Sequence, residues 1–420
     1  MEKLKKLLKK LGPGFITGAS DDDPSGIATY SQTGSQFGFS QLWTALFSFP
    51  FMTIIQEICG RIGLVTGKGL AKVIKENYGR SVLFGAVAIL CIANTINIGA
   101  DLGAMAAAGQ LLIGLPFLVW LLVITGITLA LEVFVSYSTY AKFLKYLTLS
   151  LFAYVATAFV IKQDWGEIIF STFIPTFSFS RLYLLNIVAI LGTTISPYLF
   201  FWQADEEVEE EIANHKLIEG SNNKPHINYK DIRRMRLDTF IGMLFSNLVM
   251  FFIIVTAAST LGAHGITSIT TADQAASALR PLAGDFAFFL FALGIIGTGL
   301  LAVPILAGSA SYALAETFNW KAGLSKKFIQ AKAFYVIIIV STLVGVLINF
   351  TPIKPFQMLY YTAVLNGICA PPLMILIMLI SRNTKIMGNH ANSKLSNIMG
   401  WIITAVMSLA AIGLLISIKF

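Results

Sequence analysis

Eleven apolar segments, each about as long as a membrane-spanning helix, constrain the fold of this 420-residue chain more than any other feature. A helix needs roughly 20 apolar residues to cross the hydrocarbon core of a bilayer. Only 12% of the residues are charged, whereas a soluble domain carries about 25%. The sequence therefore predicts an all-α polytopic membrane protein and excludes a disordered, fibrous or nucleic-acid-binding protein. The predicted spans are residues 14–37, 41–62, 82–112, 116–136, 141–161, 182–203, 238–260, 286–315, 333–350, 358–380 and 397–418.

The basic residues predict how these spans are oriented. If the N-terminus is cytoplasmic, 25 of the 30 lysines and arginines lie on the cytoplasmic side. This asymmetry is typical of membrane proteins. Residues 1–12 hold five of the lysines and are expected to form a cytoplasmic N-terminal segment. We expect a multi-pass protein of the cell (inner) membrane, with its C-terminus outside.

The first span is interrupted by Asp21, Asp22 and Asp23, which are followed directly by Pro24. Acidic residues inside a span are costly, so they are functional candidates by default. Proline removes a backbone donor and disfavours helix at the residue before it. Backbone broken at membrane depth is tolerated only where it lines a cavity or a ligand. The alternative interpretation is a short outer loop between two interfacial helices.

The sixth span has a second interruption, where Thr193, Thr194 and Ser196 precede Pro197. Viewed alone, this pattern also fits a simple proline kink. The two interrupted spans occupy matching positions in two five-span halves, residues 13–161 and 182–380, with residues 397–418 as an eleventh span. Paired interruptions in corresponding places predict an inverted-repeat transporter with its binding site near the bilayer midplane.

Two further spans carry polar side chains. Asn94, Asn97 and Asp101 share one face of the third span, which indicates either a site facing the bundle interior or a hydrogen-bonded seam between helices. In the second span, Glu57 lies four residues before Arg61, and this spacing predicts a structural ion pair.

The residue types at the first interruption favour a hard cation as ligand. Carboxylates and carbonyl oxygens suit such ions, and all four histidines lie in polar connecting segments. The three cysteines fit neither a disulfide framework nor a zinc site. The acidic run at residues 205–211 is open to two interpretations, a cation-attracting inner vestibule or a solvated helix end.

Around these residues the sequence resembles the NRAMP family of divalent-metal transporters. The resemblance is carried by residues 12–15 (Gly-Pro-Gly-Phe), 23–26 (Asp-Pro-Ser-Gly), 34–38 (Gly-Ser-Gln-Phe-Gly) and 61–68 (Arg-Ile-Gly-Leu-Val-Thr-Gly-Lys). It extends from about residue 12 to about residue 380 and implies a LeuT-type fold. In such a fold the two five-span halves are inverted repeats that alternate access around the broken helices.

The resemblance also implies a set of metal-site residues. Asp23 corresponds to the family's metal-binding aspartate, and Thr193 corresponds to its carbonyl ligand. Gly26 stands where the family has asparagine, Ser196 where it has methionine, and Tyr198 where it has histidine.

A further set of residues, some at family positions and some beside the first interruption, is expected to form a metal vestibule or a proton route. Asp101 keeps the first acid of a pair in the third span, whereas Ala104 replaces the second acid. Asn366 lies near the family's tenth-span glutamine. The residues expected in the vestibule or route are Asp21, Asp22, Asp101, Tyr198 and Asn366.

These departures from the family pattern lead to a hypothesis about the substrate. Losing the sulfur ligand removes the preference for softer metals, and open coordination positions suit an ion that keeps part of its water shell. We expect a secondary transporter of hydrated magnesium or manganese with weak or no proton coupling. The alternatives are a proton-coupled manganese or iron importer and a LeuT-type carrier of an organic cation or amino acid.

The same reasoning gives expectations for chemistry and partners. No soluble domain, phosphate loop or nucleophile–base pair is visible, so we do not expect an enzyme. No cofactor is expected, because the divalent metal ion is the substrate. The lipid bilayer is the other expected partner, with no nucleic acid and no obligate protein partner.

Overall fold

The computed structural model describes residues 12–135, 148–217, 225 and 227–419, and these ranges contain α-helices and 3₁₀-helices but no β-strand. The α-helices are α1 (Pro13–Asp21), α2 (Pro24–Phe37), α3 (Trp43–Thr66), α4 (Leu70–Asn77), α5 (Arg80–Leu112), α6 (Phe117–Phe134), α7 (Phe152–Val160), α8 (Trp165–Phe173), α9 (Arg181–Thr194), α10 (Pro197–Ala213), α11 (Tyr229–Thr260), α12 (Ala272–Ala276), α13 (Arg280–Ala283), α14 (Ala287–Phe318), α15 (Lys332–Leu347), α16 (Pro355–Arg382), α17 (Thr384–Met387) and α18 (Lys394–Lys419). The 3₁₀-helices are Thr148–Leu151, Gly262–His264, Ser277–Leu279, Gly284–Phe286, Ile348–Phe350 and Gly388–His390.

The helices agree with the predicted spans. Eight helical segments in the described ranges are long and apolar enough to cross a membrane. The first two predicted spans correspond to α1–α2 and α3, which contain acidic residues, and the fifth corresponds to α7 with the 3₁₀-helix before it. The start of the fifth predicted span, residues 141–147, and nearly all of the predicted N-terminal segment lie outside the described residues. The predicted all-α polytopic class is confirmed.

Apolar side chains cover the outside of this helix bundle. Leu122 on α6, Leu347 on α15 and Leu409 on α18 are 60%, 62% and 70% exposed. Inside the bundle, by contrast, many hydroxyl, amide and carboxyl groups are buried. This distribution suits a protein surrounded by lipid, in which polar groups turn toward the bundle interior.

Both predicted helix interruptions are present. Helix α1 ends at Asp21 and α2 begins at Pro24, whereas α9 ends at Thr194 and α10 begins at Pro197. The second interruption is therefore a break between two helices rather than a kink. Because Asp21, Asp22 and Asp23 are at most 1% exposed, the interpretation of the first interruption as an outer loop is wrong.

Close helix contacts fix the broken segments in the bundle. A Cβ atom at Gly18 of α1 would lie 2.2 Å from the backbone of Gly242 on α11. A Cβ at Gly192 of α9 would lie 2.1 Å from the carbonyl oxygen of Ala363 on α16. Only glycine allows the two backbones to approach this closely at each crossing.

Polar contacts hold the other end of α1 and the end of α3. The carboxylate of Asp238 on α11 accepts hydrogen bonds from the backbone N–H groups of Gly12 (2.9 Å) and Gly14 (2.8 Å). These are N–H groups that the start of a helix leaves unpaired. The predicted ion pair between Arg61 and Glu57 is confirmed, with a distance of 3.0 Å. Arg236 of α11 also reaches Glu57, at 2.8 Å.

Candidate functional site

Asp23 lies at the first break and caps α2. Its Oδ1 accepts hydrogen bonds from the backbone N–H of Gly26 (2.7 Å) and from the hydroxyl of Ser25 (2.6 Å). Its Oδ2 accepts one from the Nδ2 of Asn97 on α5, at 3.1 Å. One oxygen of this carboxylate is therefore used to start the helix, while the other faces α5.

The second break contributes hydroxyl and carbonyl oxygens. The hydroxyl of Ser196 donates to the carbonyl oxygens of Gly192 and Thr193, both at 2.8 Å. These carbonyls are ones that the end of α9 leaves without helical partners. The Thr193 carbonyl predicted as a ligand is thus bonded to Ser196 in this conformation.

Gly26 lies where the two breaks meet. A Cβ atom at Gly26 would lie 3.2 Å from the carbonyl oxygen of Asp21, 3.3 Å from the hydroxyl of Thr193 and 3.4 Å from the ring of Tyr30. The structure therefore brings together Asp23, Gly26, Thr193 and Ser196, the four residues predicted to bind the metal. Their role as ligands stays a prediction.

Asp21 and Asp22 share one donor from a neighbouring helix. The hydroxyl of Ser246 on α11 lies 2.6 Å from Oδ2 of Asp21 and 3.3 Å from Oδ1 of Asp22. Within the described residues, the other oxygen of each carboxylate is buried without a hydrogen-bond partner. Buried acceptors left unpaired are unfavourable, so this pair has capacity for a proton or a cation.

The polar stripe on α5 divides into three different environments. Asn94 donates to the carbonyl oxygen of Leu306 (2.8 Å) and the hydroxyl of Ser309 (2.6 Å), both on α14. It therefore forms the helix–helix seam, while Asn97 reaches Asp23. Asp101 is fully buried, and neither of its oxygens has a hydrogen-bond partner among the described residues.

Tyr198 and Asn366 differ in how closely they join the breaks. The hydroxyl of Tyr198 on α10 donates to the carbonyl oxygen of Ser20 on α1 at 3.2 Å, so it links the two broken spans. It also interacts electrostatically with Asp23, Asp21 and Asp101. Asn366 is buried on α16, and its Nδ2 has no partner in the part of the chain that is described.

The buried carboxylates of this region have no basic partners in the described part of the chain. Asp21, Asp22, Asp23 and Asp101 are at most 1% exposed, and none forms an ion pair with a described lysine, arginine or histidine. In the described ranges no three histidine, cysteine, aspartate or glutamate side chains converge as a ready metal cage. An ion at the breaks would therefore also need hydroxyl, carbonyl or water oxygens.

The acidic run at residues 205–211 is half buried in the structure. It continues helix α10, and Asp205, Glu207 and Glu211 are each 3% exposed. The run is therefore not a solvated helix end, because half of its acids pack against the bundle. Asp205 and Glu209 line a cavity at this end of the molecule.

Two residues near the first break are missed by the sequence interpretation. Ser246 lies within an apolar helix, and no spacing or neighbouring motif distinguishes it from an ordinary helix-packing serine. Tyr30 lies on α2 and is fully buried. It interacts electrostatically with Asp21, Asp22 and Asp23. Its spacing of seven residues from Asp23 could have indicated that both lie on one face.

Comparison with known proteins identifies relatives over nearly the whole chain. The family model described as natural resistance-associated macrophage protein-like matches residues 14–417. Two relatives are each named divalent metal cation transporter MntH. The one from Klebsiella pneumoniae strain 342 is 25% identical over 408 residues, and the one from strain ATCC 700721 / MGH 78578 is 26% identical over the same length. Both alignments cover 95% of this chain and 92% of the relative.

Solved structures share the fold. The Eremococcus coleocola manganese transporter, crystallised with an aromatic bis-isothiourea substituted compound, has a TM-score of 0.75 at 17% identity, covering 97% of this chain and 86% of that chain. Mhp1, a nucleobase-cation-symport-1 family transporter in a closed conformation, has a TM-score of 0.59 at 14% identity, covering 97% and 89%. The predicted LeuT-type fold is confirmed.

Proposed function

The chain belongs to the natural resistance-associated macrophage protein-like (Nramp) family, and from this premise we propose that it is a secondary transporter of divalent metal cations. We infer that magnesium or manganese binds at the two helix breaks. The relatives named divalent metal cation transporters support the substrate class. The observation that carries the proposal is the group of buried carboxylates around Asp23 that has no cationic partner among the described residues.

These carboxylates argue for a cationic substrate on physical grounds. Several like charges buried together are strongly unfavourable unless protons or cations neutralise them. A divalent ion at Asp23 would offset the repulsion from Asp21, Asp22 and Asp101 at once. An anionic substrate would add to that repulsion.

The donor atoms favour a hard and partly hydrated ion. Asp23, Thr193 and Ser196 offer only oxygen, and Gly26 offers no side chain. Magnesium is commonly held by one or two carboxylates while it keeps several waters. Manganese accepts the same oxygen ligands. Because Ser196 has no sulfur atom, we expect the site to bind softer metals less tightly.

The closed packing at the breaks supports alternating access. Asp23, Thr193 and Ser196 are each 1% exposed, so an ion reaches them only when the surrounding helices separate. Tyr198 joins α10 to α1 on one side, and Asp238 joins α11 to the start of α1. We propose that contacts of this kind break and re-form as the helices move. The distribution of basic residues supports the orientation in an inner membrane, with the N-terminus cytoplasmic and the C-terminus outside.

Uptake by vesicles that contain the purified protein tests the proposal. Asp23→Asn keeps an oxygen that can cap α2 and removes the charge, so Mg²⁺ and Mn²⁺ uptake should be lost. Asp164→Asn is the matched control, because Asp164 caps the exposed helix α8 by the same kind of hydrogen bond. Unchanged uptake in Asp23→Asn would overturn the site.

A proton-coupled importer is the second candidate function, and Asp101 is the observation that favours it. Its two unpartnered oxygens lie within the electrostatic reach of Asp23, so it could exchange a proton when a metal ion binds. A pH-sensitive dye inside the vesicles separates the two functions. Acidification that accompanies Mn²⁺ entry would support coupling, whereas a constant internal pH would support uncoupled transport.

A further inference from the structure

A second acidic region occupies the C-terminal half of α10, away from the break. A cavity of about 960 Å³ opens there between α4, α10, α14 and the segment that follows α14. We call it the α4 cavity, and the residues used below are Lys68, Lys72, Asp205, Glu209 and Glu316. Asp205 lies eight residues after Pro197, which places it about 12 Å along the helix from the break.

Glu316 is held at the wall of this cavity as a helix cap. Its Oε1 accepts a hydrogen bond from the backbone N–H of Gly69 (2.8 Å), and its Oε2 accepts one from that of Lys72 (2.9 Å). These N–H groups belong to the start of α4. Hydrogen bonds from N–H groups and the positive end of a helix both favour the ionised carboxylate, whereas burial opposes it, so a cation in the cavity would stabilise the ionised form of Glu316.

Asp205 is the group that indicates a ligand. It is 3% exposed, and its Oδ2 is buried without a hydrogen-bond partner in the described residues. A Cβ atom at Gly69 would lie 1.8 Å from Oδ1 of Asp205 and 2.6 Å from Oε1 of Glu316. Both carboxylates therefore converge on the same point, where their repulsion is unfavourable without a positive charge between them.

Two of the lysines near this cavity direct their charges elsewhere, while Lys321 and Lys326 also line it. Lys68 pairs with Glu76 at 2.6 Å. Lys75 donates to the backbone carbonyl oxygens of Glu316 (3.4 Å) and Thr317 (2.6 Å). Lys72 acts on Glu316 electrostatically, but the Oδ2 of Asp205 still has no donor.

We propose that Asp205 and Glu316 form a second divalent-cation site, in the α4 cavity, with water completing the coordination and Glu209 adding negative potential at the wall. The proposal extends the proposed function, because the ion would be one that has left or will enter the site at the breaks. The cavity has room for an ion that keeps its inner waters, as magnesium and manganese do at sites with one or two carboxylates.

Counting bound Mn²⁺ tests this site. Electron paramagnetic resonance distinguishes free from bound Mn²⁺, and it gives the number of ions per purified chain in detergent. We expect two ions in the unmodified protein, one in Asp205→Asn and one in Asp23→Asn. Asp164→Asn is the control, since Asp164 caps the exposed helix α8 and is not among the residues that line the cavity, and it should keep two ions.

Other outcomes separate this proposal from the proposed function. One ion in the unmodified protein that persists in Asp205→Asn and disappears in Asp23→Asn would overturn the second site and leave the first. Two ions that persist in Asp23→Asn, with one lost in Asp205→Asn, would support the α4 cavity and reject the breaks. If Asp205→Asn does not fold, Gly69→Ala places a methyl group between the two carboxylates and should also lose one ion.

Discussion

The two helix breaks share a backbone device and differ in the side chain that caps it. Both α2 and α10 begin with proline in the first helical position, after an extended cap residue. At the first break the cap is Asp23, whose carboxylate accepts the Gly26 N–H. At the second break the cap is Ser196, whose hydroxyl turns back to the end of α9 instead of capping α10.

This difference separates two tasks that a cation site requires. In the proposed site the first break would supply the charge that attracts the ion, and the second would supply neutral oxygens that can replace part of its water shell. Ser196 also keeps the carbonyl of Thr193 bonded in the closed conformation, so binding would exchange one partner of this carbonyl for another. The pair of breaks is therefore complementary rather than duplicated.

Making the first break resemble the second should have the largest effect. Asp23→Ser preserves a residue type that caps helices about as well as aspartate but removes the charge. We expect normal folding, measured by circular dichroism, and loss of one of the two proposed Mn²⁺ ions per chain, measured by calorimetry. A folded Asp23→Ser protein that binds as many Mn²⁺ ions as the unmodified protein would show that the charge of the first break is not essential.

Filling the contact between the breaks should have the next largest effect. The Cβ atom of Gly26→Ala would press on Asp21, Thr193 and Tyr30 at 3.2 to 3.4 Å, and crowding of this kind costs about 2 kcal/mol. We expect a lower melting temperature and weaker Mn²⁺ binding. Gly85→Ala is the control, because its Cβ would meet open space. Equal effects of the two substitutions would argue against close contact of the breaks.

Adding sulfur to the second break should change metal preference. Ser196→Met introduces a soft ligand, so we expect the affinity for Cd²⁺ to rise about tenfold relative to that for Mg²⁺. Ser196→Cys tests the same change in less space, since Ser196 is 1% exposed. Ser196→Ala serves as the control without sulfur. A cadmium preference that is the same in all three variants would contradict the placement of Ser196 beside the ion.

Removing the donor shared by Asp21 and Asp22 should have the smallest effect. Ser246→Ala leaves both carboxylates without the hydroxyl that contacts them, at a cost of about 1 kcal/mol. We expect Mn²⁺ affinity to change by a few fold, with uptake retained. Ser408→Ala, a hydroxyl bonded only within its own helix α18 in the described structure, should leave affinity unchanged. A complete loss in Ser246→Ala would make Ser246 part of the binding site itself.

The fold was largely predictable because the bilayer limits what apolar segments can do. Long apolar segments predict spans, and the prolines at positions 24 and 197 predict where two of them break, since proline cannot continue the helix before it. The first of these prolines follows an acidic residue and the second does not, so the sequence also predicts which break is charged. These signals are local in the sequence.

The contacts that the sequence did not predict depend on which helices pack against each other. No local pattern of residues in a single sequence encodes that packing. Nothing in the sequence distinguishes Ser246 from other serines, and it contacts Asp21 only because α11 packs beside the first break. Charged residues usually predict exposure to solvent, so the acidic run gave no indication that Asp205 and Glu207 are buried. Likewise, Asn94 and Asn97 share a helix face, yet one contacts α14 and the other contacts Asp23.

The position of a bound ion would show whether the two helix breaks hold the metal. A crystal structure of the protein grown with Mn²⁺, with the ion located by its anomalous scattering, would show where the charge is neutralised. We expect an anomalous peak within coordination distance of the Asp23 carboxylate and facing the Thr193–Ser196 segment. An empty break at saturating Mn²⁺, with the metal bound only elsewhere, would contradict this expectation.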